Sequence, residues 1–167
     1  SSLEEAYQAA SFMGSDDELV EKVKHSHSAD EAQRIAYANR DKQRKDWNEV
    51  KVGIMEELLR LKIEQNPYVK KKLLQTEDYL IVEDSPKDSF WGWGPNRDGE
   101  NQLGKLWMKL REEIRNENIE IHSSNHPLLD AGPTGSLRRI QRQCRCQGNR
   151  FRPYQGLVRL AYYTVWG

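Results

Sequence analysis

The stretch Asp88-Ser-Phe-Trp-Gly-Trp-Gly-Pro-Asn-Arg-Asp-Gly-Glu-Asn101 offers the most chemistry by residue type and spacing. Large rings alternate with glycines, which let a backbone approach a ligand closely. Rings exposed beside such glycines suit stacking on a planar base. The stretch then feeds a helix start, where free amides and the dipole favour an anion such as phosphate. The plainer reading, which composition favours, is that Phe90, Trp91 and Trp93 plug the core between a strand and a helix. Glu4 and Gln8 are polar positions on a helix whose other face is apolar, the pattern of a solvated face. Lys62 lies near the end of an apolar stripe, where a lysine ordinarily snorkels. Trp47 opens a helix, as core anchors do. His25-x-His27, His122…His126 and Cys144-x-Cys146 lack partners at a metal-ligand spacing, so neither metal nor cofactor is expected. The chain has no P-loop, no Gly-x-Gly-x-x-Gly and no Gly-x-Ser-x-Gly.

These groups belong to a chain of 167 residues with a formal net charge of +0. That length suits one domain with an appendage, and a core that needs no staples. Two cysteines, close along the chain, exclude a disulfide framework. No apolar run approaches the roughly 20 residues of a membrane helix, and no signal segment opens the chain. A mean hydropathy of −0.92 with five tryptophans describes a charged surface around an aromatic core rather than disorder. The composition is that of a reduced, soluble, cytoplasmic domain. The zero net charge hides a split. Residues 1–116 carry 19 Lys+Arg against 23 Asp+Glu, and residues 117–167 carry 7 Arg, no Lys and 3 Asp+Glu. A boundary near Asn116 follows.

The first part reads as helices. Ala6, Tyr7, Ala10 and Met13 recur at helical spacing, with Glu4, Gln8 and Ser11 on another face. Ser15-Asp-Asp-Glu18 and Ser28-Ala-Asp-Glu31 are capping-box patterns ahead of two further helices. Asp46 is placed to cap the longest helix, with Trp47, Val50, Ile54, Leu58 and Leu61 as its buried stripe. Asn66-Pro67 stops that helix and starts a short one through Leu74. Tyr79-Leu-Ile-Val-Glu83 is a strand. Residues 84–100 form a loop. A last helix over 101–116 has Leu103, Leu106, Trp107, Leu110 and Ile114 as its apolar face. The pattern predicts a mainly α fold with a little β.

Taken in order, these segments resemble one family. They are Glu4-Glu-Ala-Tyr-Gln-Ala-Ala-Ser-Phe12, Arg44-Lys-Asp-Trp47, Lys51 with Met55, Lys62, Leu73-Leu-Gln-Thr76, Leu80-Ile-Val-Glu83, Asp88-Ser-Phe-Trp-Gly-Trp-Gly94, Asn101-Gln-Leu-Gly104 and Met108-Lys-Leu-Arg111. The series is similar to the YbiA-like, or NADAR, family over about residues 2–116. The Glu-x-x-x-Gln-Ala helix and the Asp-x-x-Trp-Gly-x-Gly…Asn-x-Leu-Gly run are its most specific parts.

The resemblance implies a compact helical domain with a short β element and an N-glycosidase activity on a ribose C1–nitrogen bond. One branch of the family hydrolyses phosphorylated intermediates of riboflavin synthesis. Another removes ADP-ribose from guanine bases, which would make nucleic acid a partner. A third possibility is an ADP-ribose or NAD-derivative binding module without turnover. The residues that match carry expected roles. Departure of the nitrogen leaves positive charge on the sugar, which a carboxylate stabilises while activating water. Glu4 is the first candidate and Asp88 the second, dividing base from acid work. Trp47 and Trp91 would wall the heterocycle beside Gly92, with Gln8 near Glu4. Lys62 would bind the phosphate, or attack an opened ribose as an amine if burial lowers its pKa. Asn101 would bond the ribose or cap the last helix.

Two features depart from the family pattern. The family has a segment before the helix glutamate, with an early strand and aromatic loop that help close the pocket; here Ser1 stands three residues before Glu4, as in a truncated sequence. Ser11 replaces a usual lysine or arginine. Residues 117–167 match nothing recognised. They hold a Gly132-Pro-Thr-Gly135 turn, a basic run from Arg138 to Arg159, and an apolar end from Gly156 to Trp166 suited to a strand or short helix. A shifted frame or read-through would explain this Arg-rich tail as well as a natural function, and no function is assigned to it.

Overall fold

The architecture was described from a computed structural model, which describes residues 2–123 and 157–160. Ser2 opens α1 (Leu3–Ala10) with a full capping box. Its hydroxyl accepts from the Glu5 amide at 3.2 Å, and the Glu5 carboxylate accepts from the Ser2 amide at 2.8 Å. The helix stops at Ala10, so Met13, expected on its apolar face, is exposed. Helix α2 (Asp17–Lys24) is capped by Asp16, one residue past the expected Ser15, because the Asp16 carboxylate accepts from the Leu19 amide at 3.0 Å. Ser28 caps α3 (Ala29–Ala38) as expected.

Helix α4 (Trp47–Gln65) is the longest of the helices before the loop. Asp46 precedes it but makes no side-chain cap; its carboxylate instead pairs with Arg44 at 2.6 Å. The buried line is Trp47, Met55, Leu59 and Ile63, while Leu61 is 47% exposed. Of the expected stripe, Trp47 is buried, Val50, Ile54 and Leu58 are partly buried against the core, and Leu61 lies outside it. Apolar residues occur on more than one side of this helix, and packing, not the local pattern, selects the buried line. Asn66 caps α5 (Pro67–Leu74), with Pro67 at its first position, where a missing amide costs nothing.

Strand β1 spans Leu80–Glu83 and pairs in parallel with β2 (Leu157–Leu160). The apolar end of the chain thus supplies a strand, one of the two forms expected for it. Helix α6 runs Gln102–Ser123, beyond the predicted end at Asn116. Its expected face is buried throughout: Leu103, Leu106, Trp107, Leu110 and Ile114. Residues 132–135, Cys144, Cys146, His126 and the arginines from Arg138 to Arg152 lie outside the described residues.

Two apolar clusters meet at α1. Tyr7 and Ala10 join the larger one, made with α4, α5, β1 and α6. Ala9 and Phe12 join a second one against α2 and α3. A helix of eight residues cannot hold itself together in water. Packing on two sides fixes α1 and leaves its Glu4–Gln8 edge facing a cleft. Among the described residues no helix is long and apolar enough to cross a membrane.

Candidate functional site

The cleft holds about 1230 Å³ between α1, α3, the start of α4 and the 84–91 loop. Glu4, Gln8, Trp47, Asp88 and Trp91 all line it. These five are the expected residues that the fold brings together. Lys62, Gly92 and Asn101 are absent from its walls.

Glu4 is only 5% exposed, so the solvated-face reading fails. Its Oε1 accepts a hydrogen bond from Gln8 Nε2 at 2.7 Å, one helical turn away. Burial pushes its pKa up to about 7; the Gln8 bond opposes this, while the charges of Asp30 and Asp88 add to it. A glutamate in the first turn of a helix would ordinarily be helped to ionise by the dipole; loss of hydration outweighs that here.

Asp88 Oδ1 accepts from the backbone amides of Phe90 and Trp91, at 2.9 and 2.8 Å. This Asx-type turn aims the aromatic pair into the cleft. Asp88 thus shapes the loop and places a carboxylate in the wall. The rings form a chain: Tyr7 lies 5.0 Å from Trp47 and 5.6 Å, edge-on, from Trp91, and Phe90 is edge-on to Trp91 at 5.0 Å. Trp91 packs against the larger core cluster and also lines the cleft, so serving the core does not withdraw it from the cleft wall.

Gly92 serves the scaffold. A Cβ there would sit 2.7 Å from the Glu83 carbonyl oxygen and 3.1 Å from the Asp88 carbonyl oxygen. The close backbone approach here is to the end of β1 and to the loop itself. Asn101 is 5% exposed and has φ 52°, a left-handed conformation that asparagine tolerates. Its Oδ1 accepts from the Glu83 amide at 3.0 Å and its Nδ2 donates to the Ile81 carbonyl at 2.9 Å. It neither caps α6 through its side chain nor lines the cleft; it clamps β1 to the helix start. Lys62 is half-buried on α4 with its pKa lowered by burial, eleven residues along the helix from Lys51, or about 16 Å of rise.

The sequence reading missed three groups of cleft residues. Arg40, Lys51 and Lys87 supply cationic groups. Lys51 Nζ sits 3.9 Å from the Phe90 ring centroid and Arg40 lies 3.7 Å over Tyr37. Tyr7 joins the two tryptophans. Glu83, at the end of β1, is 1% exposed, and burial pushes its pKa up to about 7, with Asp88 and Asp84 adding to the shift. Both its carboxyl oxygens lack a hydrogen-bond partner among the described residues. Membership of Lys51 and Glu83 in the family-like segments was the available signal. No group of three or more His, Cys, Asp or Glu side chains among the described residues could hold a metal.

A family model described as the NADAR domain matches residues 1–115. Over 115 residues the chain is 42% identical to "N-glycosidase Npun_R5314" of Nostoc punctiforme, covering 68% of this chain and 74% of that protein. It is 35% identical over 111 residues to "N-glycosidase YbiA" of Shigella boydii, covering 66% and 68% of the two chains. It is 36% identical to "Riboflavin biosynthesis protein PYRR, chloroplastic" of Zea mays, covering 67% of this chain and 19% of that longer protein. The solution structure of YbiA from E. coli superposes with a TM-score of 0.66 at 34% identity, covering 74% of this chain and 73% of that one. The mainly helical scaffold with a short β element is thus shared with a solved structure, and this chain belongs to the NADAR family.

Proposed function

We propose that this chain is an N-glycosidase that hydrolyses the ribose C1–nitrogen bond of a phosphorylated ribosyl heterocycle, of the riboflavin-intermediate type. The observation that carries the reading is the buried Glu4 carboxylate in one cleft with Asp88, Trp47 and Trp91. The names of the relatives, N-glycosidases and riboflavin biosynthesis proteins, point the same way.

The C1–N bond breaks with its electron pair leaving on nitrogen, and positive charge develops on C1 and the ring oxygen. In a dehydrated site the field of Glu4 on that charge is far stronger than in water. Gln8 holds one carboxylate oxygen in place. Glu4 then takes a proton from the water that attacks C1. A proton must reach the departing nitrogen, and Asp88, in the same cleft, is the candidate to relay it there from water. The indoles of Trp47 and Trp91 bound the heterocycle. Lys51, Arg40 and Lys87 line the cleft, and this reading gives them the phosphate.

Incubation with a ribosylaminopyrimidine phosphate tests this. The expected products are ribose 5-phosphate and the free aminopyrimidine, in equal amounts. Release of neither, with ADP-ribose freed instead from a modified guanine, overturns the assigned substrate.

A further inference from the structure

Tyr7 lines the cleft and is buried in the larger core cluster, and the chemistry proposed above gives it no part. Packing explains its ring, which a phenylalanine would match. Packing does not explain its hydroxyl, because a buried hydroxyl loses its hydration unless a hydrogen bond replaces it. The side-chain partner of that hydroxyl is Trp91. An indole can only donate, so the Trp91 Nε1–H gives its proton to Tyr7 Oη. Burial and the charges of Glu4 and Asp88 push the phenol pKa up, so the acceptor stays a neutral hydroxyl across the working pH range.

We infer that Tyr7 is a positioning residue, whose hydroxyl locks the Trp91 indole in the orientation on which a planar ligand stacks, in register with Glu4. Asp88 already fixes the backbone of Trp91 through its amide, at 2.8 Å. Two side-chain torsions then remain, each with several staggered or broad minima. The edge-on contact with Tyr7, at 5.6 Å and 87° between ring planes, and the N–H bond together select one. Trp47, 5.0 Å from Tyr7 on another side, backs the tyrosine ring in turn. Tyr7 and Trp47 are both buried, whereas Trp91 is only partly so; the first two support and the third offers a face. Tyr7 also stands three residues from Glu4 on α1, so both side chains leave the same face of one helical turn. The carboxylate and the stacking wall are thereby referred to one rigid element, although they come from segments more than eighty residues apart. A wall ordered before the ligand arrives saves the cost of ordering it on binding. The inference rests on the stacking role given to Trp91 in the proposed function.

The test is a double-mutant cycle on binding, measured by calorimetry with the full chain carrying Glu4→Gln to suppress turnover. Tyr7→Phe keeps the ring and removes the acceptor. It is expected to weaken a ribosylaminopyrimidine phosphate ~5-fold and to leave ribose 5-phosphate, which has no ring to stack, unchanged. Trp91→Phe keeps a stacking ring and removes the donor. In that background Tyr7→Phe is expected to weaken binding no further, because two residues acting through one bond are not additive. Equal weakening in both backgrounds overturns the inference in favour of a direct contact or a general packing role. No weakening in either, an equal loss of ribose 5-phosphate affinity, or no binding at all overturns it too. Nuclear magnetic resonance of the free wild-type chain supplies a second readout. The Trp91 indole proton, identified by its loss in Trp91→Phe, is expected to exchange with water slowly, and at least ~10-fold faster in Tyr7→Phe. An indole proton that already exchanges freely in wild type overturns the inference, even where Tyr7→Phe fails to fold. Non-additive binding without hydrolysis by wild type leaves Tyr7 in its role and removes the N-glycosidase reading; hydrolysis with additive losses does the reverse.

Discussion

A carboxyl that is neutral when buried and charged when unfolded makes stability depend on pH, and Glu4 is such a group. Its ordinary pKa of 4.5 becomes about 7 in the folded chain. Below 4.5 it is neutral in both states and costs nothing. Between 4.5 and 7 only the unfolded chain ionises it, so stability falls as pH rises. Above 7 the loss is constant, at up to about 3 kcal/mol. Glu4→Gln keeps an acceptor for Gln8 and removes the ionisation. The variant should melt higher than wild type at pH 8 and alike at pH 4, read by circular dichroism; equal melting at pH 8 contradicts the burial. Asp88 separates two duties in the same way. Asp88→Asn retains the oxygen that the Phe90 and Trp91 amides bond, whereas Asp88→Ala loses it. We expect Asp88→Asn to melt near wild type but turn over poorly, and Asp88→Ala to lose in addition about 1 kcal/mol of stability.

Elements place these side chains only because they lie close together. Gly104, in the first turn of α6, has no room for a methyl group: a Cβ there would collide with the Ile81 carbonyl oxygen and the Asn101 amide. The helix can approach β1 because this position is bare, and Asn101 can then clamp the strand. Gly104→Ala should cost about 1–3 kcal/mol through forced backbone shifts. Thermal melting would show this as a fall of several degrees, and an unchanged melting temperature would show that the strand moves freely. Much of this level was legible in the sequence. The apolar face of α6, the Ser28 and Asn66 caps and strand β1 were all visible, since each depends on neighbours in the chain. The cap of α2 falls one residue past the expected Ser15, and the most buried line of α4 coincides with the expected stripe only at Trp47. Local pattern offered two near-equivalent answers in each case, and tertiary packing chose between them.

At the scale of the whole molecule the cleft joins pieces distant in sequence: α1, the α3–α4 region and the 84–91 loop. Distance in sequence hides chemistry. Lys62 looked functional because it matched a family segment, yet the fold sets it away from the cleft walls. Lys51 and Glu83 looked ordinary because nothing local says that one faces a cleft and the other is buried in its wall. The burial of Glu4 was equally hidden, for a polar residue on a short helix is usually wet. Charge is distributed across the cleft, with the acids on α1, β1 and the loop, and cations at Arg40, Lys51 and Lys87. Lys51→Met should therefore raise KM for a phosphorylated riboside ~10-fold and leave KM for the unphosphorylated riboside unchanged. Steady-state kinetics on the two substrates checks this, and an equal effect on both contradicts a phosphate contact.

Neighbouring carboxylates on α1 permit a direct comparison. Glu5 belongs to the capping box with Ser2, a role glutamine fills as well, whereas Glu4 faces the cleft. The deciding measurement is the rate of ribose 5-phosphate release from a ribosylaminopyrimidine phosphate at pH 8 by wild type, Glu4→Gln and Glu5→Gln. The account predicts a loss of at least ~100-fold for Glu4→Gln and a near wild-type rate for Glu5→Gln. Equal rates for all three proteins would contradict it.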